Sequence, residues 1–239
     1  MASLERKSTV EEIRQRFDQD VERFSCLETG QQALIDAPLG LTLVASAAAT
    51  HLSPGASVLD LGCDAGNLTL RVMQTVGPIH SHLLDLSRPM LERAESRVRA
   101  AGALSVQSYQ RDFRSADFPA DSFDCILAGA VLHHLRDDSD WVRAFEQLLA
   151  WTKPDGRLYV ADMVSFQDAA VDSIMVQRFG EYLEGLGGPD YRAKVFAYIE
   201  KEDSPRSLPF QIELLKKVGF TDWEVLHRNS VFACYYAQK

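Results

Sequence analysis

The 239 residues carry 25 Lys and Arg against 34 Asp and Glu, a net charge of −9, with 46% hydrophobic and 25% charged residues. That composition is globular rather than disordered, and the length suits one large domain or one domain with a sizeable insertion. The acidic balance argues against a mainly electrostatic grip on nucleic acid, and no apolar run reaches the roughly 18 residues of a membrane span or forms a signal core, so a cytoplasmic chain with no membrane partner is expected.

Ser8 or Thr9 caps a first helix, with Glu11 and Glu12 at the positive end of its dipole. Val10, Ile13, Phe17, Val21 and Phe24 recur every three or four residues. Such a helix packs on the domain or lies over a ligand cleft. Residues 25–37 are looser. Pro38 precedes an alanine-rich helix, Leu39 to His51, ended by the turn Ser53-Pro54-Gly55. Cys26, Cys63, Cys125 and Cys234 form no C-x-x-C, so reduced packing thiols are expected.

The stretch Val58-Leu-Asp-Leu-Gly-Cys-Asp-Ala-Gly-Asn67 organises the rest. A first strand, Ser57–Leu61, runs into a glycine-bracketed turn and then a helix from about Asn67 to Thr75. Strand, tight loop and helix form the unit that binds nucleotide-like ligands at the carboxyl end of a parallel strand. Gly62 and Gly66 let backbone approach a ligand. The spacing is neither Gly-x-Gly-x-x-Gly nor a P-loop.

The second strand, Ile79–Asp85, places His80 and His82 on one face. With no third ligand nearby they read as polar strand positions, and no metal is expected. Asp85 lies about 20 residues beyond the glycine loop, the offset at which an acid meets ribose hydroxyls. Ser87 is a good N-cap, with Pro89 in the first turn. Met90 is placed at the edge of an adenine ring. A third strand, Ser105–Arg111, ends at Arg111-Asp112-Phe113.

Phe123–Leu127 is the fourth strand, followed by Ala128-Gly-Ala-Val-Leu-His-His-Leu135. His133 and His134 are candidate general bases, because imidazole titrates near neutrality; a structural role is the alternative. Ser139 or Asp138 caps a helix bearing Trp141, Phe145 and Leu148. Lys153-Pro-Asp-Gly156 reads as a tight turn before a fifth strand, Arg157–Met163, whose tip at Asp162 and Met163 opens towards substrate. Residues 164–207 break the alternation with helical segments, a Gly-Leu-Gly-Gly-Pro turn and many aromatics. A helix over 208–218 ends at Gly219. Strands at Thr221–His227 and Ser230–Ala237 close the chain, with a turn at Arg228-Asn229.

Asp60-x-Gly62-x-x-x-Gly66, the acids at the next two strand ends, the Leu-His-His loop and the Pro-Asp-Gly turn come in one order. Together they resemble the class I S-adenosylmethionine (SAM) methyltransferases, with Asp64 where the middle glycine of the first motif is usual. The resemblance implies a doubly wound Rossmann-like α/β fold with a seven-stranded, mostly parallel sheet in the order 3-2-1-4-5-7-6, the last strand antiparallel. It implies an N-terminal helical cover (1–50), a SAM-binding core (51–163 and 208–239) and a helical substrate cap (164–207). Cofactor contacts are expected from Phe17, Asp60, Gly62, Cys63, Asp64, Gly66, Asp85, Leu86, Met90, Asp112, Phe113 and Ala128. In the family, the acid at Asp112 accepts from the adenine amine and its neighbour Phe113 offers a backbone N–H. His133 and His134 are the catalytic candidates. The function implied is in-line transfer of a methyl group from SAM, leaving S-adenosylhomocysteine, to a small-molecule acceptor. Alternatives are a tRNA-modifying or carboxylated-SAM-using enzyme, in which an arginine of the cap reads the extra carboxylate, and a non-catalytic SAM-binding protein. A homodimer is left open.

Overall fold

The structure is a computed structural model and describes residues 7–27 and 29–239. The rest of the expected cover, residues 1–6 and 28, lies outside the described residues. Seven strands form one sheet: β1 (Ser57–Leu61), β2 (His80–Asp85), β3 (Ser105–Gln110), β4 (Phe123–Gly129), β5 (Thr152–Met163), β6 (Asp222–Asn229) and β7 (Phe232–Gln238). Their order is β3-β2-β1-β4-β5-β7-β6. β7 runs antiparallel to β5 and β6, and the other pairs are parallel. This is the expected doubly wound α/β topology.

Both faces of the sheet are covered, so its central strands read as unbroken apolar runs. Alternate residues still go to different cores. Leu59 and Leu61 of β1, Ile126 and Ala128 of β4, and Leu158 and Val160 of β5 meet Trp141, Phe145, Ile212 and Leu215. Those four residues belong to α6 (Asp138–Trp151) and α8 (Leu208–Val218). Val58, Cys125, Leu127, Tyr159 and Ala161 face the other way. There they meet α3 (Ala37–Ala49), α4 (Asn67–Val76) and α5 (Arg88–Ala100).

Thr9 caps α1 (Val10–Gln19) in a full capping box with Glu12. The single long amphipathic helix expected there is broken at Asp20 (φ −106°, ψ 11°), and α2 (Val21–Phe24) follows. The helix of the insertion, α7 (Ala169–Glu202), kinks at Gly187 and Gly188, just before Pro189. Its Phe179, Leu183 and Val195 form a small core with Met163 and Val231. Glu202 at its end is almost fully buried and takes a bidentate ion pair from Arg16 of α1. That pair fastens the N-terminal helix to the insertion across the top of the sheet.

Three local expectations are corrected. Asp137, not Ser139 or Asp138, caps α6, accepting from the Asp140 N–H. The β6–β7 turn falls at Ser230 (φ 49°) and Val231, because β6 runs through the expected Arg228-Asn229 and pairs Asn229 with Phe232. Lys153-Pro-Asp-Gly156 is a bulge within β5 with Asp155 at φ 63°, since Thr152 already pairs with Phe123.

Candidate active site

The loop after β1 needs backbone that most side chains resist. Gly62 has φ 64°, Asp64 φ 46° and Gly66 φ 83°. A Cβ on Gly62 would lie 2.5 Å from Val131 Cγ2. Asp64 therefore keeps the left-handed conformation that a glycine would adopt, which aspartate tolerates better than most residues. Its backbone N–H donates to Asp85 Oδ2 at 2.9 Å, while Asp85 Oδ1 accepts from the Ser87 N–H at 2.8 Å. The side chain at the end of β2 thus ties the loop to the start of α5. Burial raises the Asp85 pKa to about 6 against the pull of those N–H groups, and raises that of Asp64 well above the usual range, with the Asp85 and Asp60 charges adding to it.

A cleft opens over this loop, lined by Ile13, Phe17, Gly62, Asp64, Asp85, Leu86, Arg111, Asp112, Phe113, Ala130, Val131 and His134, among others. Seven of the expected cofactor contacts therefore meet here: Phe17, Gly62, Asp64, Asp85, Leu86, Asp112 and Phe113. A second compartment is lined by Arg16, Arg23, Phe24, Leu34, His133, Met163, Tyr198 and Asp203 and shares Phe17, Asp64, Ala130 and His134 with the first. Asp112 reaches the cleft already engaged, in a bidentate pair with Arg114 that holds the Arg114 pKa up.

Five expected contacts lie outside the lining of both compartments. Asp60 is 2% exposed, and its carboxylate accepts from Thr69 Oγ1 at 2.6 Å. It braces the start of α4, and burial lifts its pKa to about 6. Cys63 is buried under the loop, with its thiol pKa raised by burial. Gly66 sits against Ala94 of α5. Met90 is wholly buried with Leu91, Ala94 and Val98 on the inward face of α5 rather than at an adenine edge. Ala128 is also wholly buried, because β4 runs on to pair Gly129 with Ala161. Ala130, at φ 53°, lines the cleft in its place. The other residues lining this cleft that were not anticipated, Ile13, Leu84, Arg111, Arg114 and Val131, lie close to anticipated positions in the sequence or on a helix face.

The two histidines differ. His133 is buried, with Nδ1 2.5 Å from Asp162 Oδ1 and Nε2 3.6 Å from Asp203 Oδ1. Burial alone would lower its pKa, but Asp162 and Asp203 outweigh it and raise the value to about 9. A protonated ring at neutral pH is not a ready base. Asp162 does not open towards substrate as expected. It is 1% exposed and accepts from the Val131, Leu132 and Met163 N–H groups. His134 lines both compartments, edge-on to Phe17 with ring centroids 6.2 Å apart.

A methyltransferase-domain model matches residues 58–156. The chain is 27% identical over 196 residues to demethylmenaquinone methyltransferase of Lactococcus lactis, covering 77% of this chain and 74% of that one. It is 29% identical over 207 residues to carboxy-S-adenosyl-L-methionine synthase of Wolinella succinogenes, covering 84% of each. The fold matches that of a Haemonchus contortus phosphoethanolamine N-methyltransferase solved with S-adenosylhomocysteine, with TM-score 0.62 and 20% identity over 91% of this chain and 46% of that one. No described helix is long and apolar enough to cross a membrane. Sheet order, domain match and relatives agree: residues 58–156 carry a methyltransferase domain, and the chain is similar to the class I SAM-dependent methyltransferases in fold and sequence.

Proposed function

We propose that the chain transfers a methyl group from SAM, bound in the first compartment, to a small-molecule acceptor in the second. The observation that carries this reading is the pair of compartments joined at Phe17, Asp64, Ala130 and His134. A methyl donor on one side and a nucleophile on the other would meet at that waist. The residues present suit the cofactor. Asp85 is an acceptor-only group beside the cleft, fitted to the two ribose hydroxyls. Phe113, Leu86 and Ile13 offer apolar surface to an adenine, and Asp112 offers acceptor oxygens to its amine.

When bound, the sulfonium supplies an activated methyl: the acceptor–carbon bond forms as the carbon–sulfur bond breaks, and sulfur leaves as a neutral thioether. The chain has to align the partners and exclude water. Residues up to about 50 would serve as cover through Phe17, and residues 164–207 as the acceptor's cap through Tyr198. If the acceptor must lose a proton, His134 is the better placed of the two histidines to take it, being on the waist and clear of Asp162.

Isothermal titration of the purified chain with SAM tests the reading. Binding in the micromolar range is expected, and no binding of SAM or S-adenosylhomocysteine would overturn it. A second reading is favoured by Arg16 and Arg23 in the second compartment and by the carboxy-SAM synthase relative: the cofactor carries an extra carboxylate. The mass of the cofactor retained on purification separates the two.

A further inference from the structure

At the back of the second compartment stands a cluster that methyl transfer does not require. His133, His134 and Asp203 each offer one ligand atom, and the three atoms lie within 4.8 Å of one another. Asp203 Oδ1 is 3.3 Å from His134 Nδ1 and 3.6 Å from His133 Nε2. It is buried, and these two imidazoles are its close partners. A carboxylate oxygen so far from water is costly unless something cationic meets it; the proton on the His133 ring serves that purpose, and a metal ion would displace it. The two separations bracket roughly 3.4 Å, the edge of a tetrahedron with metal–ligand bonds of about 2.1 Å. We propose that His133, His134 and Asp203 bind a divalent transition-metal ion.

The surroundings are those of a built site. His133 turns its Nδ1 to Asp162 and leaves Nε2 facing Asp203. A ligating histidine commonly donates its other ring N–H to a carboxylate in this way, which fixes tautomer and ring orientation. Asp162 is itself held by the Val131 and Leu132 N–H groups. The opposite wall is held too: the Ser204 N–H donates to the His133 carbonyl at 2.7 Å. Two imidazoles and one carboxylate suit Zn²⁺, Mn²⁺, Fe²⁺ or Co²⁺ better than Ca²⁺ or Mg²⁺, which prefer oxygen. Three protein ligands leave coordination positions open. Those positions face a compartment lined by Phe17, Met163 and Tyr198. Resting on the methyl-transfer reading, this ion would orient an oxygen, nitrogen or sulfur atom of the acceptor, and His134 would then serve as its ligand in place of acting as a base.

The full chain, stripped with chelator and dialysed against Co²⁺ or Zn²⁺, provides the test. One ion per chain is expected by elemental analysis, with the visible absorption of low-symmetry Co²⁺. Asp203→Ala and His134→Gln should each weaken binding at least tenfold, with the circular dichroism spectrum unchanged. Asp85→Ala should lose SAM affinity and keep the ion, so failure of the SAM reading and failure of this one are told apart. No bound ion, or a full equivalent retained in both ligand variants, would overturn the proposal.

Discussion

Replacing Asp85 with alanine tests the proposed placement of the cofactor most directly. The carboxylate is 6% exposed and accepts from the Asp64 and Ser87 N–H groups at 2.9 and 2.8 Å. Ligand-free, it is held with a pKa of about 6 against an ordinary 3.8. Those two units make its charge cost roughly 3 kcal/mol at pH 7. Ribose hydroxyls donating to it would offset that cost, and a hydrogen bond to a charged group contributes about 1.5–3 kcal/mol. Asp85→Ala should therefore weaken SAM binding by roughly ten- to a hundredfold. It also leaves two loop N–H groups without their acceptor, which adds to the loss. The same reasoning fixes a pH dependence. A ligand that favours the ionised carboxylate binds more tightly as pH rises through about 6 and more weakly below it. Titration calorimetry from pH 5 to 8 on both proteins measures this. An unchanged dissociation constant in the variant, or equal slopes in variant and parent, would refute the placement.

Gly62→Ala puts a Cβ 2.5 Å from Val131 Cγ2 at φ 64°, so a loss of about 1–3 kcal/mol and several degrees of melting temperature is expected; a variant as stable as the parent would show that the loop yields freely. Asp60 has its folded pKa raised to about 6, so its favourable contribution is present below about pH 4 and is lost as pH rises through 6. Asp60→Asn, whose amide oxygen can still accept from Thr69, should gain up to roughly 3 kcal/mol over the parent at pH 8 and nothing at pH 4; a variant less stable than the parent at pH 8 by thermal melting would contradict this.

Much of this was legible because local patterns decide it. The apolar run 58–61, the glycine turn and the helix after it locate the loop, and the offset to Asp85 locates the acid that the structure brings to the loop. Met90 was legible too: it shares the inward face of α5 with Ala94 and Val98, three or four residues apart, and that periodicity outweighs closeness to Asp85 in sequence. Ala128 was not. The end of β4 is set by pairing with β5, and neither strand alone says where pairing stops. Asp203 was out of reach for the same kind of reason. It meets His133 only because α7 folds back over the sheet and ends there, and no spacing rule connects a residue past the insertion to the loop after β4.

The departure at Asp64 acquires a physical sense from the geometry. The loop needs a left-handed residue there, and a glycine would supply it without strain. An aspartate at φ 46° costs something in backbone energy, and its carboxylate joins those of Asp60 and Asp85 around one turn. Each of the three has its pKa raised with burial as the first cause. Arg16 and Arg23 act on Asp64 from the second compartment and lower its pKa only partly. Three carboxyls around one turn thus resist ionising together. A positive charge favours their ionised forms in water-poor surroundings, and under the proposed placement the cationic end of the cofactor arrives there. A glycine at this position would suit the left-handed backbone and remove that carboxylate, so under the proposed placement Asp64→Gly should weaken SAM binding while affecting adenosine binding less.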